Sequence, residues 1–344
     1  MKTVKLGNTG IIANKNGFGA LPIQRIDTDS AVKLIHMALD GGINFFDTAR
    51  AYSDSEEKLG IALEGVDRHK YYIATKTASK TGKEVLADLE TSLRLLKTEY
   101  IDIYQLHCAP KCFRPGDADG VYDAVLQAKE QGKIKHIGIT AHLLHVAQEA
   151  IESGLYETLQ YPFAYISSEK EIELVKKCEE AGMGFLGMKG LAGGLLTNSK
   201  LCYWFACQHE AVLPLWGIQR ETELAEFLSY QDNMPEMDDA MKADYETDLK
   251  ELAGDFCRGC GYCMPCPQGI RISDCARTSQ LLRRSPSAGW LGTEWQQEMA
   301  KIKECLHCGL CASKCPYGLD TPKLLEKNLE DYENVLAKKV DVSC

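Results

Sequence analysis

The chain has no apolar run long enough to cross a membrane, since a membrane-spanning helix needs about 20 predominantly apolar residues. Its opening segment, MKTVKLGNTG, contains no apolar stretch of the kind that forms the core of a secretion signal. Cationic residues are in the minority, because 39 Lys and Arg stand against 49 Asp and Glu, for a formal net charge of −10. Nucleic-acid binding requires concentrated positive charge. We therefore expect a cytoplasmic protein that binds neither nucleic acid nor a membrane.

Cysteine is abundant, and eight of the 15 cysteines fall in two short runs. The second run has the C-x2-C-x2-C-x3-C-P spacing of bacterial ferredoxins. The first run is one residue shorter before its last cysteine and is also followed by proline. Zinc knuckles and disulfides are the alternatives, but zinc needs only four ligands per ion, and thiolate ligands indicate a reducing compartment. The spacing predicts two [4Fe–4S] clusters held by Cys257, Cys260, Cys263, Cys266, Cys305, Cys308, Cys311 and Cys315.

The ferredoxin spacing also predicts which cysteines share a cluster. In that pattern three thiolates of one run hold a cluster together with the last cysteine of the other run. We therefore expect the first triplet to share a cluster with Cys315, and the second triplet to share one with Cys266. Because the first run is contracted before Cys266, Cys275 is the alternative fourth ligand.

From about residue 15 to 230 the sequence alternates between candidate strands and candidate helices. Glycine follows several of the helices, for example Gly154 and Gly182, as expected at helix C-termini. Eight strands that alternate with helices favour a parallel (β/α)8 TIM barrel over a doubly wound sheet. The opening segment Lys2–Lys15 predicts a hairpin that plugs the barrel floor. The candidate strands are Asn16–Ala20, Ile43–Ala49, Tyr71–Thr77, Ile101–His107, His136–Ala141, Thr158–Tyr165, Gly184–Gly190 and Ala211–Gly217.

After residue 230 this alternation stops. A segment rich in Met and Asp leads into a candidate helix, Ala240–Gly254, and the first cysteine run follows. The interval between the two runs, Ile272–Glu304, is helical in character and longer than a compact β-rich ferredoxin needs. We therefore expect an α/β barrel over residues 1–230, a helical linker over residues 231–254, and a mainly α-helical dicluster ferredoxin-like domain over residues 255–344.

Functional residues of a (β/α)8 barrel gather at the face where the strands end. The predicted strand ends place Asp47, Tyr52, Lys76 and His107 there. Their order and positions resemble the catalytic tetrad of the aldo-keto reductases, and the string GGINFFDTARAY around Asp47 resembles the most recognisable block of that family. The resemblance covers about residues 1 to 230. Together with its cysteine-rich tail, the chain is similar to the iron–sulfur-containing branch of the family.

The four side chains also form a proton-transfer site on chemical grounds. A phenol with a pKa of about 10 is a poor acid at neutral pH, but a nearby ammonium stabilises the phenolate and lowers that pKa. We expect Lys76 to lower the pKa of Tyr52 in this way, while Asp47 holds the ammonium in place. Tyr52 would then protonate a carbonyl oxygen as hydride reaches the carbon, and His107 would orient that oxygen. Each residue alone would more often be structural; their coincidence at successive strand ends favours catalysis.

The resemblance implies a nicotinamide cofactor, NADP(H) or NAD(H), and residues to hold it. Gln160 matches the residue that hydrogen-bonds the nicotinamide carboxamide, and Thr140 opens a Thr-Ala-His string where the family has Ser-Asn. Met188 stands where the family stacks a tyrosine on the nicotinamide ring, and a thioether can still pack against a ring face. Arg220 is placed to pair with a 2′-phosphate. The implied cofactor-binding residues are Thr140, Gln160, Met188, Lys189, Gly217 and Arg220.

Hydride carriers and iron–sulfur clusters handle electrons differently, since a nicotinamide transfers two electrons at once and a cluster transfers one. An FMN would link them, with its phosphate held by Lys189 and helix N-termini at the barrel face. We expect an oxidoreductase of aldo-keto reductase type that acts on a small-molecule carbonyl/alcohol pair, with two clusters for electron transfer or redox sensing. One alternative is a flavin- or cluster-dependent reductase without nicotinamide, supplied with electrons by a ferredoxin or flavodoxin. The other is an electron carrier built on an inactive barrel.

Overall fold

The computed structural model describes residues 2–252 and 256–342 and divides the chain into two compact units. The first unit contains residues 2–190 and 200–237, and the second contains residues 191–199 and 238–342. The expected junction between linker and cluster domain, at residues 254 and 255, lies outside the described residues. The three-part domain division therefore stays a prediction.

The first unit is a closed barrel of eight parallel strands preceded by an antiparallel hairpin. Each of the eight predicted barrel strands is present, within a few residues of its expected bounds. Strand β10 pairs with both β3 and β9, which closes the barrel. The prediction of a (β/α)8 barrel is confirmed. The strands are β1 (Thr3–Lys5), β2 (Ile12–Asn14), β3 (Gly17–Gly19), β4 (Phe45–Asp47), β5 (Tyr72–Thr77), β6 (Ile101–Leu106), β7 (Ile134–Thr140), β8 (Thr158–Pro162), β9 (Gly184–Met188) and β10 (Val212–Gly217).

The helices of the barrel follow its strands in the expected alternation. Side-chain caps begin several of them; for example, Asp27 accepts a hydrogen bond from the Ser30 N–H and Thr81 accepts one from the Glu84 N–H. Gly154 ends α5 in the left-handed conformation, with φ of 65°. The helices are α1 (Thr28–Asp40), α2 (Ser55–Ala62), α3 (Gly82–Leu95), α4 (Val121–Glu130), α5 (Leu144–Ser153), α6 (Glu169–Glu180), α7 (Ser199–Gln208) and α8 (Glu221–Asp232).

The hairpin of β1 and β2 seals one end of the barrel. Its buried Val4, Leu6, Ile11 and Ala13 share one hydrophobic cluster with inward residues from the earlier parts of the barrel strands, such as Ile103. These are the amino-terminal ends of the strands, so the hairpin leaves the carboxyl ends free for function. The predicted floor plug is therefore present.

The second unit is built from helices around a separate core. Its buried residues include Ile272, Trp295, Met299, Leu325 and Tyr332. No β-strand occurs among the residues described in this unit. The predicted mainly α-helical character is confirmed. No helix in the described ranges is both long enough and apolar enough to cross a membrane. The helices are α9 (Asp239–Glu251), α10 (Ile272–Cys275), α11 (Thr278–Arg284), α12 (Thr293–Ala300), α13 (Leu310–Ser313) and α14 (Thr321–Leu336).

Residues 191–199, which follow β9 in the chain, belong to this second unit. The Arg284 guanidinium donates to the Leu195 carbonyl at 3.0 Å and also pairs with Asp248. The Asn198 amide donates to the Asp244 carboxylate at 2.7 Å. Helices α9 and α11 thus hold this segment through polar contacts. The alternation of strands and helices in the sequence does not predict these contacts.

Candidate active site and cluster cavities

Strand register brings the four predicted catalytic side chains together. Asp47 ends β4 opposite Ala74 of β5, and Lys76 lies two residues further along β5, on the same face as Ala74. The residue opposite Lys76 on β6 is Gln105, and His107 follows it by two positions. The structure therefore places these side chains at the carboxyl ends of adjacent strands, where the loop after β4 adds Tyr52.

A buried ion pair forms the base of the site. The Lys76 Nζ lies 2.6 Å from the Asp47 Oδ1 and donates to the Thr48 carbonyl at 2.6 Å. The two charged side chains are 1% and 6% exposed, so the pair is almost fully removed from water. Burial raises the pKa of Asp47, while the Lys76 charge and the hydrogen bonds it accepts work in the opposite direction. The position of the ammonium is therefore fixed by two oxygen partners.

Tyr52 lies above this pair and against His107. The Lys76 Nζ is 5.2 Å from the centre of the Tyr52 ring, and the Tyr52 and His107 rings meet edge to face with centroids 5.6 Å apart. Burial raises the pKa of Tyr52, and the nearby Asp47 and Cys108 raise it further. This direction is opposite to the lowering that the sequence led us to expect. Because the ammonium faces Asp47 and the Thr48 carbonyl, the carboxylate balances its charge while the phenol loses water. The phenol stays protonated.

His107 is neutral in this setting. Burial, helped by the positive charge of Lys76, lowers the pKa of His107 to about 3. A neutral imidazole can donate one hydrogen bond and accept another, but it carries no proton to give up at neutral pH. His107 is therefore suited to orient a substrate oxygen, the role that the sequence predicts and that stays a prediction.

Gln105 is a site residue that the sequence reasoning missed. Its side chain is fully buried, and its amide donates to the Asp47 Oδ2 at 3.2 Å. Gly138 lies opposite on β7, and a Cβ there would be 2.8 Å from the Gln105 side chain, so glycine makes the room it needs. The two-residue period of β6 was the available signal, because it places Gln105 on the same face as His107.

Gln160 meets the tetrad from the other side of the barrel. Its amide donates to the Asp47 Oδ1 at 3.3 Å, while its own carbonyl oxygen is buried without a hydrogen-bond partner among the described residues. Buried amide oxygens are nearly always hydrogen-bonded in native proteins. An unused acceptor here fits a ligand that brings an N–H group, such as the carboxamide of a nicotinamide.

The other five residues expected to bind a cofactor lie at the same ends of β7, β9 and β10. Thr140 ends β7 opposite Gln160, and its hydroxyl accepts the Cys108 N–H at 2.7 Å. Met188 ends β9, Lys189 follows with φ of 58°, and Gly217 ends β10. Arg220, just before α8, pairs with Glu223 at 2.6 Å. Gln160 is hydrogen-bonded to Asp47 of the tetrad, and Thr140 is hydrogen-bonded to Cys108, which follows His107 in the chain. The support for a cofactor-binding role is only their position near the ends of strands for Met188, Lys189, Gly217 and Arg220.

The cysteines of the second unit surround two separate cavities. One is lined by Cys305, Cys308 and Cys311 together with Cys266, and also touches Cys263. The other is lined by the first triplet, Cys257, Cys260 and Cys263, together with Cys315. Cys275 lines neither cavity. Each cavity thus has three thiols of one run and the last thiol of the other, an arrangement that fits two four-iron clusters ligated crosswise.

The same cavities have apolar walls, which suits an iron–sulfur cluster. Ile270, Ile272, Leu319 and Leu324 of the unit's core line one or both of them. Among the described residues, no three or more His, Cys, Asp or Glu are placed to hold one metal ion between them; the thiols are spread around the cavity walls instead. Four thiols around an apolar cavity are the donor set that [4Fe–4S] clusters use.

Comparison with known proteins supports both parts of the chain. Residues 15–204 match the model of the aldo/keto reductase family, and residues 256–320 match that of a 4Fe-4S dicluster domain. An L-galactose dehydrogenase of Arabidopsis thaliana is 31% identical over 227 residues, which cover 60% of this chain and 70% of that protein. A methylglyoxal reductase of Salmonella typhimurium is 30% identical over 198 residues, covering 54% and 71% respectively.

A solved structure supports the fold. An aldo-keto reductase from Bacillus halodurans superposes with a TM-score of 0.63 at 21% sequence identity, covering 74% of this chain and 97% of that one. Enzymes of this family are oxidoreductases that typically use NADP(H), and neither family match supports an FMN. The chain belongs to the aldo/keto reductase family and is an oxidoreductase that carries a C-terminal 4Fe-4S dicluster domain.

Proposed function

We propose that the barrel reduces a carbonyl group to an alcohol, with Tyr52 as the proton donor, and that two clusters in the second unit carry single electrons. The observation that carries the barrel half is the buried Asp47–Lys76 pair beneath Tyr52 and His107. A buried charge pair is costly unless it is fully hydrogen-bonded. Its presence beneath a protonated phenol, at the functional end of the barrel, supports catalysis over a purely structural role.

Proton transfer begins from the phenol of Tyr52. Burial keeps this group protonated, but the raised pKa also makes it a weaker acid, so proton transfer to a carbonyl oxygen needs a charge that stabilises the phenolate. The phenolate left behind would lie near the Lys76 ammonium, which stabilises it through space. The neutral His107 would hold the same oxygen by a hydrogen bond. The raised pKa keeps the phenolate form scarce at neutral pH in the resting site.

The residues at the strand ends fit a nicotinamide cofactor. When bound, NADPH or NADH supplies the hydride. Gln160 would accept a hydrogen bond from the carboxamide through its unused carbonyl oxygen. Met188 would pack against the ring, and Arg220 would have to exchange its partner Glu223 to bind a 2′-phosphate. The Gln160 amide can remain on Asp47 throughout, because its two ends serve different partners.

Eight thiols of the second unit would hold the iron. We assign Cys257, Cys260, Cys263 and Cys315 to one cluster and Cys305, Cys308, Cys311 and Cys266 to the other, following the two cavities. Such clusters supply one-electron transfer. With crosswise ligation, each cluster would bind cysteines from both runs. It would therefore connect the chain before α10 with the chain after α12.

A small, oxygen-rich substrate is the class to test first. The relatives named above act, by their names, on L-galactose and methylglyoxal. The test is to purify the protein without oxygen and follow NADPH oxidation with methylglyoxal and a panel of aldoses, beside iron and sulfide analysis. We expect carbonyl-dependent NADPH oxidation and about eight iron atoms per chain. Absence of NADPH oxidation with every carbonyl would contradict the barrel half, and zinc or a single cluster would contradict the other.

A further inference from the structure

The two cysteine-lined cavities differ in how they reach the surface. Five residues that line the cavity of the second triplet are exposed: Cys308 and an apolar set that we call the leucine rim, made of Pro265, Pro267, Leu306 and Leu310. Leu306 is 64% exposed, the highest value among the large hydrophobic side chains described, and Leu310 is 48% exposed. Large apolar side chains held open to water around a functional site mark interaction surfaces.

The cavity of the first triplet is covered instead. None of the residues described as lining it is exposed. The Arg258 guanidinium lies over the Tyr317 ring, 4.4 Å from its centre, and both side chains line this cavity. Buried Leu319 and Leu324 line it as well. A redox partner would therefore meet the site of the second triplet first.

The charge of the segment that contains Leu306 and Leu310 indicates the kind of partner. The segment from Lys301 to Lys327 contains five lysines and three acidic residues, although the chain as a whole has a net charge of −10. Lys314 and Lys323 are exposed, and neither has an ion-pair partner among the described residues. Electrostatic complementarity steers association and selects partners of opposite charge. An apolar rim carried by a lysine-rich stretch of the sequence thus suits an acidic protein.

We propose that the leucine rim is the docking surface for a small acidic one-electron carrier protein of the ferredoxin or flavodoxin class. This inference rests on the iron–sulfur half of the proposed function. Each encounter passes one electron between the partner's redox group and the site of Cys305, Cys308 and Cys311; one side is oxidised by one electron, the other is reduced by one, and no covalent bond changes. Small interfaces with an apolar centre are typical of such transient redox complexes.

The test compares leucines inside and outside the rim. Leu306→Gln with Leu310→Gln removes its two most exposed apolar side chains, and Leu336→Gln is the matched control, since Leu336 is 39% exposed on α14 of the same unit. An acidic bacterial flavodoxin, reduced beforehand, is mixed with the oxidised protein, and cluster bleaching is followed by stopped-flow absorbance. Dithionite, which needs no docking surface, is the reference reductant. Carbodiimide cross-linking followed by peptide mapping reads binding independently of electron transfer.

We expect the double variant to accept electrons from flavodoxin about tenfold more slowly, while dithionite reduction and the Leu336→Gln variant match the wild type. Lys323→Glu should slow the same reaction and remove the cross-links formed at Lys323, and it replaces no residue that adjoins a cysteine. Unchanged flavodoxin kinetics in both variants would overturn the docking surface, even with carbonyl reduction and both clusters intact. Dimeric wild-type protein that becomes monomeric on changing the leucines would also overturn it, because the rim would then bind a second copy. Protein without iron would refute the iron–sulfur half and this inference together.

Discussion

The active end of the barrel and the cysteine cavities of the second unit are assembled in opposite ways. In the barrel, Asp47 accepts hydrogen bonds from Lys76, Gln105 and Gln160, so protein side chains alone define the site. In the second unit, the thiols line apolar cavities and pack against the hydrophobic core. The first arrangement depends on strand register, and under the proposed ligation the second would depend on iron–thiolate bonds that hold the two runs together. The two sites should therefore respond differently to the same treatment.

The largest expected effect is on local stability: loss of iron should weaken the second unit and leave the barrel unit unchanged. Cys311 is buried in the core of the second unit and lines a cavity, so Cys311→Ala should lose a cluster. Amide protection from hydrogen exchange should then fall by about 100-fold or more in residues 256–342, because the cavity walls lose their support. Strands β3 to β10 should keep their protection. Exchange read by mass spectrometry gives both values.

The control for this experiment is Cys178→Ala, which removes a buried thiol of α6 in the barrel. Its iron content should equal that of the wild type. Equal loss of protection in the barrel and in the second unit of Cys311→Ala would show that the barrel also depends on iron, and the contrast drawn above would be wrong.

Lys76→Met should have the next largest effect. It leaves Asp47 buried without its cation, which should cost about 3 kcal/mol of unfolding free energy, and it removes the charge that stabilises the phenolate, which should lower kcat about 100-fold. Lys15→Met is the matched control, because Lys15 is also buried in the barrel unit but donates to the carbonyls of His209 and Val212. The control should lose stability and keep kcat. Urea unfolding and steady-state kinetics separate the two, and equal kcat values for both variants would contradict a role for Lys76 in catalysis.

Gln105→Leu should have a smaller effect that separates positioning from structure. Leucine fills similar volume but cannot donate to Asp47, so the carboxylate and the ammonium it holds lose one constraint. We expect kcat to fall about tenfold with little change in KM, since the change acts on the transition state more than on substrate binding. Gln105→Glu should be worse, because it places a second carboxyl group against Asp47. Lower stability with unchanged kcat would reduce Gln105 to a structural residue.

The smallest expected effect is that of pH on the rate of carbonyl reduction, which should be nearly constant between pH 6 and 9. Tyr52 has a raised pKa and His107 a pKa of about 3, so neither changes protonation in this interval. Stability behaves differently below it: between the unfolded pKa of His107, about 6.5, and its folded value, only the unfolded state takes up the proton. Unfolding free energy should therefore fall as pH drops from 7 to 4. In His107→Gln the slope should decrease by up to one proton; an unchanged slope would show that His107 is not the group responsible.

The sequence predicts the parts of this molecule that depend on local pattern. Eight strands, the floor hairpin and the helix Leu144–Ser153 follow from hydrophobic alternation and glycine punctuation. The pKa of Tyr52 could not be predicted, because its direction depends on how deeply the ring is buried and on Asp47 taking up the charge of Lys76. Gln105 was missed because its importance comes from the partner it reaches across strands. The exposure of Leu306 likewise depends on tertiary packing.

The most direct test of the central claim is single-turnover reduction of a carbonyl substrate by NADPH in the wild type and in Tyr52→Phe. The variant removes one hydroxyl and keeps the ring that packs against His107. NADPH affinity, measured by fluorescence titration, should stay within about twofold, while the reduction rate should fall by about 1000-fold or more, because only the proton donor is lost. Cluster content should be unchanged. A Tyr52→Phe protein that reduces the carbonyl at the wild-type rate would contradict the account.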